Sequence, residues 1–539
     1  MIPKSIQKKL VKIFICLSFF MLLASPVFSG TEGSEFINGI FVDALNSEAA
    51  PFLNTTAQKF DPTVIRSRLV KVDFGRILQN LKPVNTPEKV KIGDETEICN
   101  NLLHLNLFDD ASFIVRLENV LKNVSGSTTY IGSIDNEKEP NRMIFTVKDN
   151  VMIGSFTKGN KNYIIRYIGG NIHEIQETDH NKFGGCEEPL HVGSLPGEEG
   201  PDSKITEPKV PDTGAIIDVM VVYTAAARTG AGSVAAMEAT IDQAVAETNT
   251  GYSNSQITPT INLVHTAEVT YSESSFNWTT CVNRLQGTSD GYMDNVHTLR
   301  NTYRADMVVL IVENSDYCGQ AYTIMANSSG AFCLVSRSCA TGYYSFAHEM
   351  GHLQGARHDR YMDNTDNSPY TYNHGRTYPT GQWRTIMAYD NACVAAGVNC
   401  TRINYWSNPS VFYNGVATGI SGGAGVGCDN HLCLNNTAYT VANFRESVYM
   451  TVSISGPTKG YNSGTYTWCA NVSGSGLQLP YTYDWRYSYD GSSYTYSFGS
   501  SQCETAQLPL DRDLYLKVTV TDSNGIQAVD YHVTINMGD

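Results

Sequence analysis

The sequence predicts an α/β (α+β) domain with a mixed twisted sheet over residues 214–447, and an all-β sandwich over residues 448–539. Three patterns carry this reading. The run IIDVMVVY at 216–223 is apolar without alternation, as a strand buried on both faces must be. Ser233 then opens a stretch in which Val234, Met237, Ile241 and Ala244 or Val245 recur at helical spacing. Far downstream, Leu514, Leu516, Val518 and Val520 alternate with Tyr515, Lys517, Thr519 and Thr521, which is the period of a half-buried strand.

Taken in order, the chain opens on Lys4, Lys8, Lys9 and Lys12, an apolar run at 13–24, and small residues at Ser25, Ser29 and Gly30. That run is shorter than the ~20 residues a bilayer span requires, so residues 1–29 read as a cleaved signal peptide and the protein as secreted and extracellular. Residues 30–213 read as a weakly patterned region ending in a linker, with strand-like pieces at 143–147 and 163–168. The linker, 193–214, holds Pro196, Pro201, Pro208 and Pro211 among five acidic residues and no apolar period, so it cannot bury a core and is open to cleavage. Order resumes at 216, with further strands expected at 261–264 and 307–312. Beyond 448 the tyrosine-rich run 481–489 and the turns at Asp490-Gly491 and Asp522-Ser523-Asn524-Gly525 suit short hairpins.

A formal net charge of −15 repels phosphate backbones, so nucleic acid is not an expected partner. No later stretch is long and apolar enough to span a membrane. Of 13 cysteines, eight lie between Cys281 and Cys433 and two more are Cys469 and Cys503, even numbers that suit an oxidising compartment. The short-range pairs Cys393–Cys400 and Cys428–Cys433 are expected.

The chemistry concentrates in His348-Glu349-Met350-Gly351-His352-Leu353-Gln354-Gly355-Ala356-Arg357-His358, which fits HExxHxxGxxH at every specified position. Residues four apart on a helix share one face, so His348 and His352 can bind one zinc ion at about 2.0–2.1 Å. Phe346, Met350 and Leu353 then face a core. One helix does not easily aim a third ligand, and Gly355 tolerates the positive φ that would bring His358 back to the metal. Three neutral imidazoles leave a fourth position for water, the arrangement of catalytic zinc rather than structural zinc. Glu349, next to His348, is placed to act as general base on that water.

At these residues the chain resembles the metzincin zinc metallopeptidases, an adamalysin- or reprolysin-like group within which it is most similar to bacterial peptidyl-Asp metallopeptidases. The likeness rests on HEMGHLQGARHD, on QWRTIMAYDN and on RINYWSNP. It implies that Met387 is the Met-turn residue beneath the histidines and that Tyr389 is a switchable ligand or oxyanion partner. It also implies that residues 319–326 form the edge strand that pairs with an extended substrate. The inherited preference is cleavage on the amino side of Asp, which demands a cation, with Arg384 the first candidate and Arg402 the second. A salt bridge from Arg384 to Asp359 or Asp390 is the competing structural role.

Upstream, Phe183-Gly184-Gly185-Cys186-Glu187-Glu188-Pro189 places a thiol where a propeptide could fill the fourth zinc position. A Cys99–Cys186 disulfide is the alternative. Asp363 and Asp366 in MDNTDNS offer oxygen ligands for calcium, against the plainer reading of a solvated loop. His265, His374 and His431 lack ligand spacing. The C-terminal domain resembles an immunoglobulin or PKD sandwich through Cys469, Trp485 and Cys503, although the two cysteines are close for an inter-sheet pair. The expected function is a secreted zinc metalloendopeptidase acting on protein or peptide substrates, with a sandwich that binds protein or glycan. The alternative is an extracellular adhesin or binding protein with a vestigial metzincin domain.

Overall fold

The apolar runs singled out above lie side by side in one sheet. The structure, a computed structural model, describes residues 39–45, 47–48, 61–80, 90–92, 95–97, 101–134, 142–193, 216–445, 449–523 and 525–538. The signal-peptide reading, most of the linker, Cys16, Cys99 and Asn524 lie outside these residues. The central elements are β1 (Ile216–Thr224), α1 (Val234–Asn254), β2 (Thr260–Val269), β3 (Met307–Val312), β4 (Gly319–Ala321), β5 (Phe332–Ser336) and α2 (Ser345–Leu353).

The sheet order is β2-β1-β3-β5-β4. Its first four strands are parallel and β4 closes the edge antiparallel to β5. The unalternating runs follow from burial on both faces. Val219 and Val221 of β1 and Val309 and Ile311 of β3 enter the core beneath α1 and α2. Met220 and Val222, with Val308 and Leu310, enter a second core against the helix Trp278–Gln286. Ser233 caps α1 as expected, its Oγ accepting from the Ala236 N–H at 3.0 Å.

The N-terminal region is more ordered than its sequence suggested. Among the described residues it forms a nine-stranded antiparallel sheet whose central strands include Arg142–Lys148, Val151–Lys158 and Lys161–Gly169. The two strand-like pieces were the visible part. The pattern was faint because the sheet buries both faces, one around Phe145, Phe156 and Tyr163, the other on α1. That second contact is polar: Thr146 Oγ1 donates to Gln243 Oε1 at 3.0 Å, and Ser127 Oγ to Asp242 at 2.7 Å. It explains why α1 carries buried polar residues on the side turned away from the five-stranded sheet.

Residues 449–538 form two sheets of three and five strands around Trp468, Trp485, Leu516 and Val518. The alternation at 514–521 is observed, with the even-numbered residues buried. Cys469 and Cys503 are bonded, but within one sheet, at directly paired positions of adjacent strands. The short separation therefore reflects an intra-sheet bridge. Cys393–Cys400 forms as expected, and Cys318–Cys339 adds a bridge that spacing did not reveal. Cys428 and Cys433 are a correction. Both are buried free thiols, because Cys428 precedes the helix Asn430–Val441 and Cys433 lies inside it, packed against Gln354.

Candidate active site

Helix α2 carries the motif against the core. Phe346, Met350 and Leu353 are fully buried beneath it, and Gly355 turns the chain with φ +100° immediately after it. A side chain there would also collide with Pro369. The turn returns His358 to the helix, so that its Nε2 lies 3.2 Å from His348 Nε2 and 3.0 Å from His352 Nε2.

The opposite ring nitrogens fix the tautomers of His348 and His352. His348 Nδ1 donates to the Ile386 carbonyl at 2.9 Å, and His352 Nδ1 to the Ala356 carbonyl at 2.9 Å. His358 Nδ1 lies 3.6 Å from Glu188 Oε1. Lone pairs on Nε2 therefore converge on one point in a region closed to water. Burial pushes all three imidazoles below their ordinary pKa, His352 to about 4, which keeps them in the neutral, ligating form. Nitrogens about 2.0–2.1 Å from a tetrahedral zinc lie roughly 3.3 Å apart, so the observed spacing fits zinc.

Met387 packs where a side chain on Gly351 would otherwise sit, between His348 and His352 along the helix. Its neighbour Ile386 supplies the carbonyl that orients His348. The Tyr389 ring lies 4.4 Å from that of His358, and its N–H donates to Asp359 at 2.8 Å. Asp359, adjacent to His358 in sequence, thus ties the third histidine to the Met-turn. The position was visible in the sequence but its use as a backbone acceptor was not.

Glu349 is fully buried, and both carboxylate oxygens lack a hydrogen-bond partner at bonding distance among the described residues. Burial pushes its carboxyl up to about 8, partly offset by Cys186 and by the Arg402 charge. Cys186, free and buried, lies with ligand atoms of His348 and Glu349 in one potential metal-binding cluster. Its thiol is pushed well above its usual range by burial and then by Glu349. The Tyr389 hydroxyl donates to the Cys186 carbonyl at 3.0 Å.

Around Cys186 the chain lies along the sheet edge. Cys318 N–H donates to the Gly185 carbonyl at 2.9 Å, and Glu187 N–H to the Gly319 carbonyl at 2.8 Å. His191 and Val192 then pair in parallel with Thr323 and Ile324. Of the edge expected at 319–326, residues 319–321 form the edge strand of the sheet, 323–324 pair among the described residues only with 191–192, and residues 185–193 lie along both.

Arg384 and Arg402 are both buried, and among the described residues neither pairs with a carboxylate, so the salt bridge to Asp359 or Asp390 is absent. Arg384 is engaged by the carbonyls of Ala388, Cys400 and His180 and by the Tyr343 hydroxyl, at 2.6 to 3.4 Å. Arg402 differs. Nη1 donates to the Tyr343 carbonyl at 3.2 Å, whereas Nε and Nη2 have no hydrogen-bond partner among the described residues. Buried donors left unmade cost about 1–3 kcal/mol each. Tyr343 itself, stacked on Phe183 at 4.3 Å, was not singled out from the sequence. Asp363 and Asp366 turn to Arg357 and Arg360, at 2.8 and 2.5 Å.

These residues, on this sheet, define a metallopeptidase. Residues 213–407 match the Reprolysin_5 description of metallopeptidase family M12. The chain is 43% identical over 310 residues to a peptidyl-Asp metalloendopeptidase of Stenotrophomonas maltophilia, covering 57% of this chain and 71% of that protein. It is 40% identical over 307 residues to one of Xanthomonas campestris, covering 57% and 70%. A protein of the same name from Pseudomonas fragi is 39% identical over 200 residues, which is 37% of this chain and all of that one. The chain belongs to metallopeptidase family M12, together with these peptidyl-Asp metalloendopeptidases. It is a zinc metalloendopeptidase, a hydrolase of peptide bonds.

Proposed function

We propose that the chain is a secreted endopeptidase of the metzincin type, made as a latent precursor, that cleaves extracellular proteins on the amino side of Asp. Residues 1–29 are its signal peptide, 30–213 its propeptide and linker, 214–447 its catalytic domain and 448–539 a sandwich that binds protein or glycan. Export is supported by the basic and apolar leader and by three disulfides. Among the described residues no helix is long and apolar enough to cross a membrane. The observation that carries the catalytic reading is the convergence of three buried imidazoles, two of them oriented by backbone carbonyls, beside the buried carboxylate of Glu349.

His348, His352 and His358 hold one zinc. Bound zinc supplies Lewis acidity, which polarises the scissile carbonyl and acidifies water. Glu349 takes the proton of the attacking water and returns it to the leaving amine. Its burial gives it a high proton affinity for a carboxylate and keeps bulk water away from the transfer. Met387 supports the histidine helix from below, and Tyr389 donates its hydroxyl toward the oxygen that gains charge. In the precursor that hydroxyl is held by the Cys186 carbonyl, the Cys186 thiol crowds His348 and Glu349, and residues 185–193 occupy the substrate edge. Asp363 and Asp366, the carboxylates that calcium would need, are already paired with Arg357 and Arg360.

The reading is tested by protein hydrolysis with the processed chain. A chelator should abolish cleavage and stoichiometric zinc should restore it, whereas cleavage that survives complete metal removal overturns the reading.

A further inference from the structure

We propose that Arg402, uncovered when residues 180–186 leave, recognises the carboxylate of the substrate residue that follows the scissile bond. The proposal rests on the endopeptidase reading above and names the side chain that selects its substrate.

Two buried guanidiniums meet at Tyr343, with Arg402 4.1 Å and Arg384 5.5 Å from its ring centroid. Buried cations are ordinarily paired, yet among the described residues no carboxylate bonds either one. Arg384 is accounted for by three carbonyls and a hydroxyl, all but one of them from residues of 343–400. Arg402 is not. Its Nε and Nη2, two donors of one planar fork, have no acceptor among the described residues, and a carboxylate accepts from such a fork in a bidentate pair.

The cover over this group is the segment before Cys186. The His180 ring packs at 5.2 Å and the Phe183 ring at 4.3 Å from that of Tyr343. His180 Nδ1 accepts the Arg402 backbone N–H at 3.2 Å. Phe183 and the Arg402 guanidinium take opposite faces of the Tyr343 ring, so loss of Phe183 bares the outer face of Tyr343, and loss of His180 opens the way past its edge to Arg402. This opening adjoins the reaction centre, since Tyr343 shares one apolar cluster with Cys186 and Tyr389.

Strand direction decides which substrate residue it meets. Residues 185–193 run parallel to the edge from 318 to 324, so the 180–183 end lies on the Arg402 side of Cys186. A substrate that adds to the same edge antiparallel runs the other way, and the residue after its scissile bond falls on the Arg402 side. Acidic selection on that side means cleavage before the acidic residue.

The test uses the full chain after processing, with matched peptides that differ only as Asp or Asn after the scissile bond. Wild type should favour Asp by at least ~100-fold in kcat/KM, because Asn cannot form the charged bidentate pair. Arg402→Leu should bring the ratio to within a few-fold while zinc content stays stoichiometric. Arg402→Lys, which keeps the charge and loses the fork, should fall between, and Arg384→Gln should keep the preference. If Arg402→Leu does not hold zinc, Arg402→Lys decides, and a ratio equal to wild type overturns the assignment. Equal cutting of Asp and Asn by wild type, or cutting after Asp, also overturns it. In either case chelator-sensitive hydrolysis of a general protein substrate would leave the endopeptidase reading standing.

Discussion

Gly319 on the edge strand and Glu349 on α2 occupy each other's space: a Cβ added to Gly319 would lie 2.6 Å from Glu349 Cγ. Glu349 can stand where it does only because the facing residue has no side chain. Gly319→Ala should therefore displace Glu349 and lower kcat by roughly 10²-fold, with zinc content unchanged. Metal analysis and steady-state kinetics on the same preparation check this. Undiminished kcat would mean that the carboxylate has room to spare.

Gly351 plays the same part on the other side of the helix. A Cβ there would meet Trp406 at 2.6 Å and Met387 Sδ at 2.9 Å. Gly351→Ala should destabilise the catalytic domain by about 1–3 kcal/mol through overpacking and weaken zinc affinity with it. Thermal unfolding and zinc titration are the measurements, and a variant with wild-type values in both would remove Met387 as a support of the metal helix.

Much of the site was legible because its chemistry is local. His348, Glu349, His352, Gly355 and His358 lie within eleven residues, and helical geometry alone dictates where they point. Met387 was reached by resemblance. The roles of Ile386, Asp359 and Tyr343 were not legible, since each depends on a backbone group or ring face brought from a distant segment. The N-terminal sheet was underestimated for a related reason. Strands such as Val151–Lys158 are buried on both faces, so alternation is lost, and the helix that covers them is 80 residues further on. For the arginines, the resemblance ranked Arg384 first and Arg402 second; among the described residues, the bonds made by Arg384 and left open by Arg402 favour the opposite order.

Cys186→Ser should raise the activity of the unprocessed chain by at least ~10-fold, because a hydroxyl is a far poorer zinc ligand than a thiolate. Peptide hydrolysis by intact precursor, confirmed uncut by mass, is the measurement. Equal latency in both forms would assign inhibition to steric cover by residues 185–193 alone.

The contact between α1 and the N-terminal sheet should be pH-dependent through Glu247. One of its oxygens accepts from Ser155 Oγ at 2.6 Å and Gln243 Nε2 at 3.0 Å, the other from the Gly342 N–H at 2.9 Å, and burial still pushes its pKa up to about 7. An acid raised in the folded state loses stability as pH rises from its ordinary value near 4.5 to its folded value near 7, and the loss is complete above that. Asp242 is shifted in the same direction, whereas His173, lowered to about 4, contributes the opposite slope between about 4 and 6.5. Glu247→Gln isolates one term. Relative to wild type, the precursor variant should gain roughly 3 kcal/mol between pH 5 and 7.5, whatever it loses from the bond to Gly342. A constant difference across that range would show that Glu247 stays charged when buried.

The proposed role of Glu349 is that of the base in a three-histidine zinc peptidase. Its most direct test is zinc content and peptide hydrolysis measured on one purified sample of processed Glu349→Gln. The account predicts one zinc per chain with kcat/KM lowered by about 10²–10⁴-fold, because the amide cannot take the proton while the imidazoles remain. Turnover near that of wild type in the zinc-loaded variant would contradict it.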